Sequence, residues 1–170
     1  MSGPVETRIK IDEHGRRATY DEIMVGKELG EFEWVVSEED IAKQCQIDDD
    51  THPWFTEKSP FDGRIAPPQI QYRPPRWLIS RNYNIRGVFY KWSFQNHKPI
   101  KPHVTIRISG KVSGKWIKNN REYVEFETCA HDECGDLLFR TLRVHVLDVI
   151  DNTSPRLGVG VDSGIKDEKI

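Results

Sequence analysis

Alternating apolar and polar positions mark out the strands of this chain. From Glu31 to Val36, Phe32, Trp34 and Val36 alternate with Glu31, Glu33 and Val35, the two-residue period of a half-buried strand. Ser37 stands where a helix N-cap belongs, with Asp40 three residues on in a variant of the capping box. The helix that follows sets Ile41, Ala42 and Cys45 on one face and stops at Asp48-Asp49-Asp50. Between Ala66 and Asn84 the spacing is helical again, but Pro74-Pro75 interrupts it, since each proline removes a backbone donor and restricts the residue before it. This predicts a first turn over Pro68–Tyr72, a break, and a better helix from Pro75 with Trp77, Leu78 and Tyr83 apolar.

Beyond that point the pattern is strand. Gly87 to Phe94 sets Val88, Tyr90 and Trp92 against Phe89, Lys91 and Ser93. Val104 to Val112 turns Val104, Ile106, Ile108 and Val112 to one side. Tyr123 to Ala130 and Leu137 to Val149 form two more strands, joined across Asp132–Asp136 by a hairpin turn containing Gly135. The order strand, helix, loop, helix and four antiparallel strands predicts an α+β domain, a curved antiparallel sheet wrapped around a Pro-interrupted helix. That domain spans 20–150. Residues 1–19 read as a polar arm, and 151–170, charged and glycine-containing, as a flexible tail.

Composition narrows the function classes. The 170 residues suit one domain with a real core. A formal net charge of −2 gives no support for nucleic-acid or membrane-surface binding, and no apolar run is long enough to span a bilayer. The start of the chain lacks a basic-then-apolar signal pattern, which predicts a cytoplasmic protein. Cys45, Cys129 and Cys134 have no framework spacing and fit a reducing compartment. Cys129, His131 and Cys134 are zinc-ligand types, but a second pair at a useful distance is missing, so neither a metal nor a cofactor is expected.

Chemistry concentrates in Asp48-Asp49-Asp50-Thr51-His52-Pro53-Trp54-Phe55, a loop between two helices that holds carboxylates, an imidazole and two aromatic rings. Ser59-Pro60-Phe61-Asp62-Gly63-Arg64-Ile65-Ala66-Pro67-Pro68 follows it into the central helix, and Lys98-Pro99-Ile100-Lys101-Pro102 leads into the alternating strands.

In the order and spacing of these three patches the chain resembles the MaoC-like hot-dog hydratases and dehydratases, over roughly Tyr20 to Val149. Within that family it is most similar to the N-terminal, fungal fatty-acid-synthase-type dehydratase branch. The resemblance implies a single hot-dog domain and a hydro-lyase acting on enoyl or 3-hydroxyacyl thioesters. The family motif is Asp-x-Asn-Pro-x-His, whose Asp and His grip one water, so that water loses a proton to one group as the substrate gains one elsewhere. Anchored on Pro53, the motif's Asp falls on Asp50, its Asn on His52 and its His on Phe55. Asp50 and His52 are therefore the candidate acid/base pair. Phe55, Ile65, Ala66, Pro67, Tyr72 and Trp77 are candidate substrate-binding residues, and a backbone amide at the start of the central helix would polarise the thioester carbonyl. A reshaped helix at the proline break points to a bulkier or more polar acyl group. The implied partners are an acyl thioester, of coenzyme A or an acyl carrier protein, and a second hot-dog subunit in a homodimer or heteromer joined sheet edge to sheet edge. Two rivals stand beside the enzyme reading: a non-catalytic, acyl-binding subunit of a heteromeric hydratase, and an acyl-thioester-binding module.

Overall fold

The computed structural model describes residues 16–147. The predicted tail at 151–170 and most of the predicted arm lie outside the described residues. Strand β1 covers Glu28–Val35, α1 Glu38–Asp48, and a short α2 Pro53–Thr56. A 3₁₀ helix over Pro68–Tyr72 runs into α3 at Arg73–Asn82. Strands β2 (Val88–Asn96), β3 (Thr105–Lys118), β4 (Arg121–His131) and β5 (Leu137–Val146) follow. They form one five-stranded sheet in the order β1-β3-β4-β5-β2 with every pairing antiparallel.

The alternation seen in the sequence is the burial pattern. Phe32, Trp34 and Val36 are buried, as are Ile106, Ile108 and Val112, and they meet Leu78 and Ile79 of α3 in a common core. The Ser37 capping box forms in full: Asp40 N–H donates to Ser37 Oγ and Ser37 N–H to Asp40 Oδ2. The inward face of α1 is Ile41, Gln44 and Cys45, so Gln44 takes the place expected of the exposed Ala42.

The predicted break at Pro74-Pro75 is not observed. Tyr72 and Arg73 keep helical backbone angles, and both prolines sit in the first turn of α3, where a missing N–H has no helical partner to lose. The helix passes from 3₁₀ to α without interruption, which removes the basis for an acyl site reshaped by a broken helix.

Two local features bring the elements into place. At Gly110 a Cβ would lie 2.5 Å from Glu127 O and 2.9 Å from Leu78 Cδ2, so the bare backbone lets α3 lie close against the sheet. In β2 the register shifts between Phe89 and Lys91, which puts Phe89 opposite His145 and Trp92 opposite Arg143. Phe89 and Trp92 thereby share one face, where simple alternation had separated them.

Candidate functional site

Helix α1 ends with Asp49 in the left-handed region (φ 51°), and the Asp50 N–H turns back to Cys45 O at 2.9 Å. Two side chains then cap the backbone in succession. Asp50 Oδ1 accepts from the His52 N–H at 3.0 Å, and His52 Nδ1 accepts from the Trp54 N–H at 3.2 Å. Pro53 opens α2 at a position where its lost donor costs nothing. A ring nitrogen that accepts a hydrogen bond carries no proton, so the neutral His52 ring holds its proton on Nε2. Asp50 is half-buried and His52 exposed. The imidazole lies between the Trp54 ring, edge-on at 5.3 Å, and the Phe55 ring at 5.4 Å. Asp50 thus reaches His52 through its backbone; among the described residues, no hydrogen bond joins the two side chains.

The following segment is tied down at several points. Asp62 (φ 63°) and Gly63 (φ 96°) make a tight turn closed by Ser59 N–H to Gly63 O at 2.8 Å. The Arg64 guanidinium pairs with Glu38 and donates to its carbonyl at 2.9 Å, holding the loop to the start of α1. Burial, and after it the charge of Asp50, push the Cys45 thiol up, which favours its protonated form.

The predicted substrate-binding residues divide into three places. Phe55, Ile65, Ala66 and Pro67 gather around the loop: Ile65 N–H donates to Trp54 O at 2.9 Å, Ala66 N–H to Ile100 O at 2.8 Å, and all but the half-buried Phe55 are buried. Trp77 looks toward β1, tilted against Phe32 at 6.3 Å, beside a hollow of about 30 Å³ shared with Trp34, Asp40, Ile70 and Arg73. Tyr72 turns the other way, onto Phe89 (6.0 Å) and Trp92 (5.5 Å) of β2. With the Ile65 and Ala66 amides engaged, and Pro67 and Pro68 lacking one, none of these four residues supplies the carbonyl-polarising donor expected there. A larger cavity of about 280 Å³ is lined by Phe61, Lys98, Pro99, Lys101, Val104, Asp132 and Leu138; neither cavity is lined by Asp50 or His52.

Arg143 and His145 were not among the expected site residues. Both lie on the helix-facing side of β5. Arg143 is 2% exposed, donates to Tyr72 O at 3.0 Å, and has the Tyr72 and Phe89 rings 4.5 and 4.7 Å from its guanidinium carbon. Burial lowers the His145 imidazole to about 4, with the nearby Arg143 charge adding to the effect. Their shared parity with the core residue Phe139 was the available sequence signal; charged residue types masked it.

The sheet order, the central helix and the loop beside it define a hot-dog fold. In structure the chain is similar to an (R)-hydratase from Pseudomonas aeruginosa, at 18% identity and a TM-score of 0.62, covering 75% of this chain and 83% of that one. It is similar to a MaoC-like dehydratase from Rhodospirillum rubrum, at 14% identity and a TM-score of 0.63, covering 75% and 94%. It is also similar to a 3R-hydroxyacyl-ACP dehydratase complex from Mycobacterium tuberculosis, at 14% identity and a TM-score of 0.61, covering 68% and 90%. No protein-family model matches the chain, and no curated protein matches it in sequence. Identities this low establish the fold. Among the described residues, no helix is long and apolar enough to cross a membrane.

Proposed function

We propose that the chain is a hydro-lyase that adds water to an enoyl thioester, or removes it from a 3-hydroxyacyl thioester, with Asp50 and His52 as the acid/base pair. The observation that carries this reading is the double cap in the loop. Because His52 Nδ1 is held by the Trp54 N–H, Nε2–H is left pointing away from the cap and can donate to a water. Asp50 uses Oδ1 for the His52 N–H, which leaves its second oxygen to accept from the same water. In the forward direction the water oxygen bonds to Cβ, the carboxylate takes its proton, and Cα receives a proton from the pair, so one hydrogen and one hydroxyl are added in all. The fold shared with an (R)-hydratase and a MaoC-like dehydratase supports the same reaction class, and the sequence resemblance supports the fungal-type dehydratase branch within it. A cytoplasmic setting, supported by three free cysteines, belongs to this reading.

A second reading follows from a separate observation. The family's His position is Phe55, and β2 is exposed along an edge that carries Val88, Phe89, Tyr90 and Phe94. Such an edge suits a second hot-dog subunit, which in a heteromer would hold the complete pair while this chain lines the acyl site. Crotonyl-CoA offered to the purified chain separates the readings: loss of the conjugated-thioester absorbance supports the enzyme, and loss only after a second hot-dog protein is added supports the partner subunit.

A further inference from the structure

Among the described residues, six buried side-chain polar atoms lack a hydrogen-bond partner, and four of them, Trp92 Nε1, Thr141 Oγ1, Arg143 Nε and His145 Nε2, belong to the paired strands β2 and β5. Thr141, Arg143 and His145 are alternate residues of β5 and so project from one face. Trp92 is directly opposite Arg143 across the β2–β5 ladder, and the Tyr72 ring and carbonyl both engage Arg143. At the centre is a cation with no carboxylate in reach among the described residues; the charged neighbour that acts on it is Arg76, of like sign. Burial lowers the Arg143 pKa only to about 10, so the guanidinium stays protonated at neutral pH.

A buried charge without a counter-ion is costly, and aromatic faces offset only part of that cost. Water could satisfy the idle donors, yet it brings no opposite charge. A carboxylate does both: it accepts from Arg143 Nε, Trp92 Nε1 and Thr141 Oγ1 and neutralises the cation. Tyr72 and Phe89, whose rings lie over the Arg143 guanidinium, are 37% and 38% exposed, so these two side chains stand between the cation and solvent. Tyr72 also belongs to the helix that begins at the candidate acyl site.

We propose that Arg143 and the polar atoms around it receive a carboxylate at the far end of the acyl group, so that the preferred thioesters are those of dicarboxylic acids. This rests on the thioester reading above and names its substrate class.

The test uses the full chain and two probes. Glutarate, with uncharged glutaramide as control, is titrated while the indole N–H resonances are followed, that of Trp92 being identified by Trp92→Phe. A saturable shift of the Trp92 signal with glutarate alone, abolished in Arg143→Met, is expected. In parallel, glutaryl-CoA should bind about tenfold or more tightly than butyryl-CoA, and Arg143→Met should erase that ratio. No glutarate response together with equal thioester affinities, or a response that survives Arg143→Met, overturns the proposal. An Arg143-dependent glutarate response without binding of either thioester upholds the receptor and overturns the thioester reading. Turnover of crotonyl-CoA with no carboxylate preference does the reverse. If Arg143→Met loses its dispersed spectrum, Thr141→Val and Trp92→Phe each remove one donor, and an unchanged glutaryl-CoA preference in both overturns the receptor.

Discussion

Arg143 and Tyr72 are joined twice: a terminal guanidinium nitrogen donates to the Tyr72 carbonyl at 3.0 Å, and the same cation stands 4.5 Å from the Tyr72 ring. One side chain of β5 thereby anchors the point where the 3₁₀ helix becomes α3. The contact fills space and carries charge, and the two roles separate on mutation. Arg143→Ala leaves a cavity under the helix junction and is expected to cost about 3–4 kcal/mol in urea unfolding. Arg143→Met keeps the volume and removes a desolvated charge, so its stability is expected within about 1 kcal/mol of the parent. Equal losses in the two variants would show that the charge, rather than the packing, holds the junction.

His145 gives the protein an acid-side loss of stability. Its imidazole stands near 4 in the folded chain against an ordinary 6.5, because burial disfavours the charged ring. Between those values the unfolded chain binds a proton that the folded chain refuses. Stability is therefore unaffected by this group above 6.5, falls as pH drops from 6.5 toward 4, and levels off below. The loss is on the order of 3 kcal/mol. Glu127, held below the usual carboxylate range chiefly by its hydrogen bond to Arg140, adds a loss at the lower end. Comparing the parent with His145→Gln isolates the histidine: the variant's stability should be flatter between pH 6.5 and 4, and an unchanged slope would contradict the assignment.

Gly110 sets how near α3 lies to the sheet. A methyl group there meets the Glu127 carbonyl at 2.5 Å, and backbone cannot swing aside as a side chain can. Gly110→Ala is expected to lower stability by about 2–3 kcal/mol, read as a lower urea midpoint with an unchanged slope. A midpoint equal to that of the parent would mean that the strands slide freely.

Much of this architecture is legible in the chain because burial here follows period. Phe32-Trp34-Val36 and Ile106-Ile108-Val112 point inward as their alternation requires, and Ser37 with Asp40 starts α1 as its chemistry requires. What was missed has physical reasons. Pro74-Pro75 read as a break, although a helix start absorbs two prolines without loss. The bulge in β2 moved Phe89 to the Trp92 face, and nothing in an alternating run announces one extra residue. Arg143 and His145 carry polar names on inward positions, so their burial shows only once Tyr72, Phe89 and Phe126 are seen around them. At the candidate site, the loop was found from composition, whereas the link from Asp50 to the His52 backbone and from His52 Nδ1 to the Trp54 N–H needed coordinates.

The Asp50–His52 assignment is tested most directly by the initial rate at which the purified chain consumes crotonyl-CoA, compared among the parent, Asp50→Asn and His52→Ala. A measurable parent rate that falls at least about a hundredfold in each variant, with folding intact, is the predicted result. A parent rate that both variants retain would contradict the account.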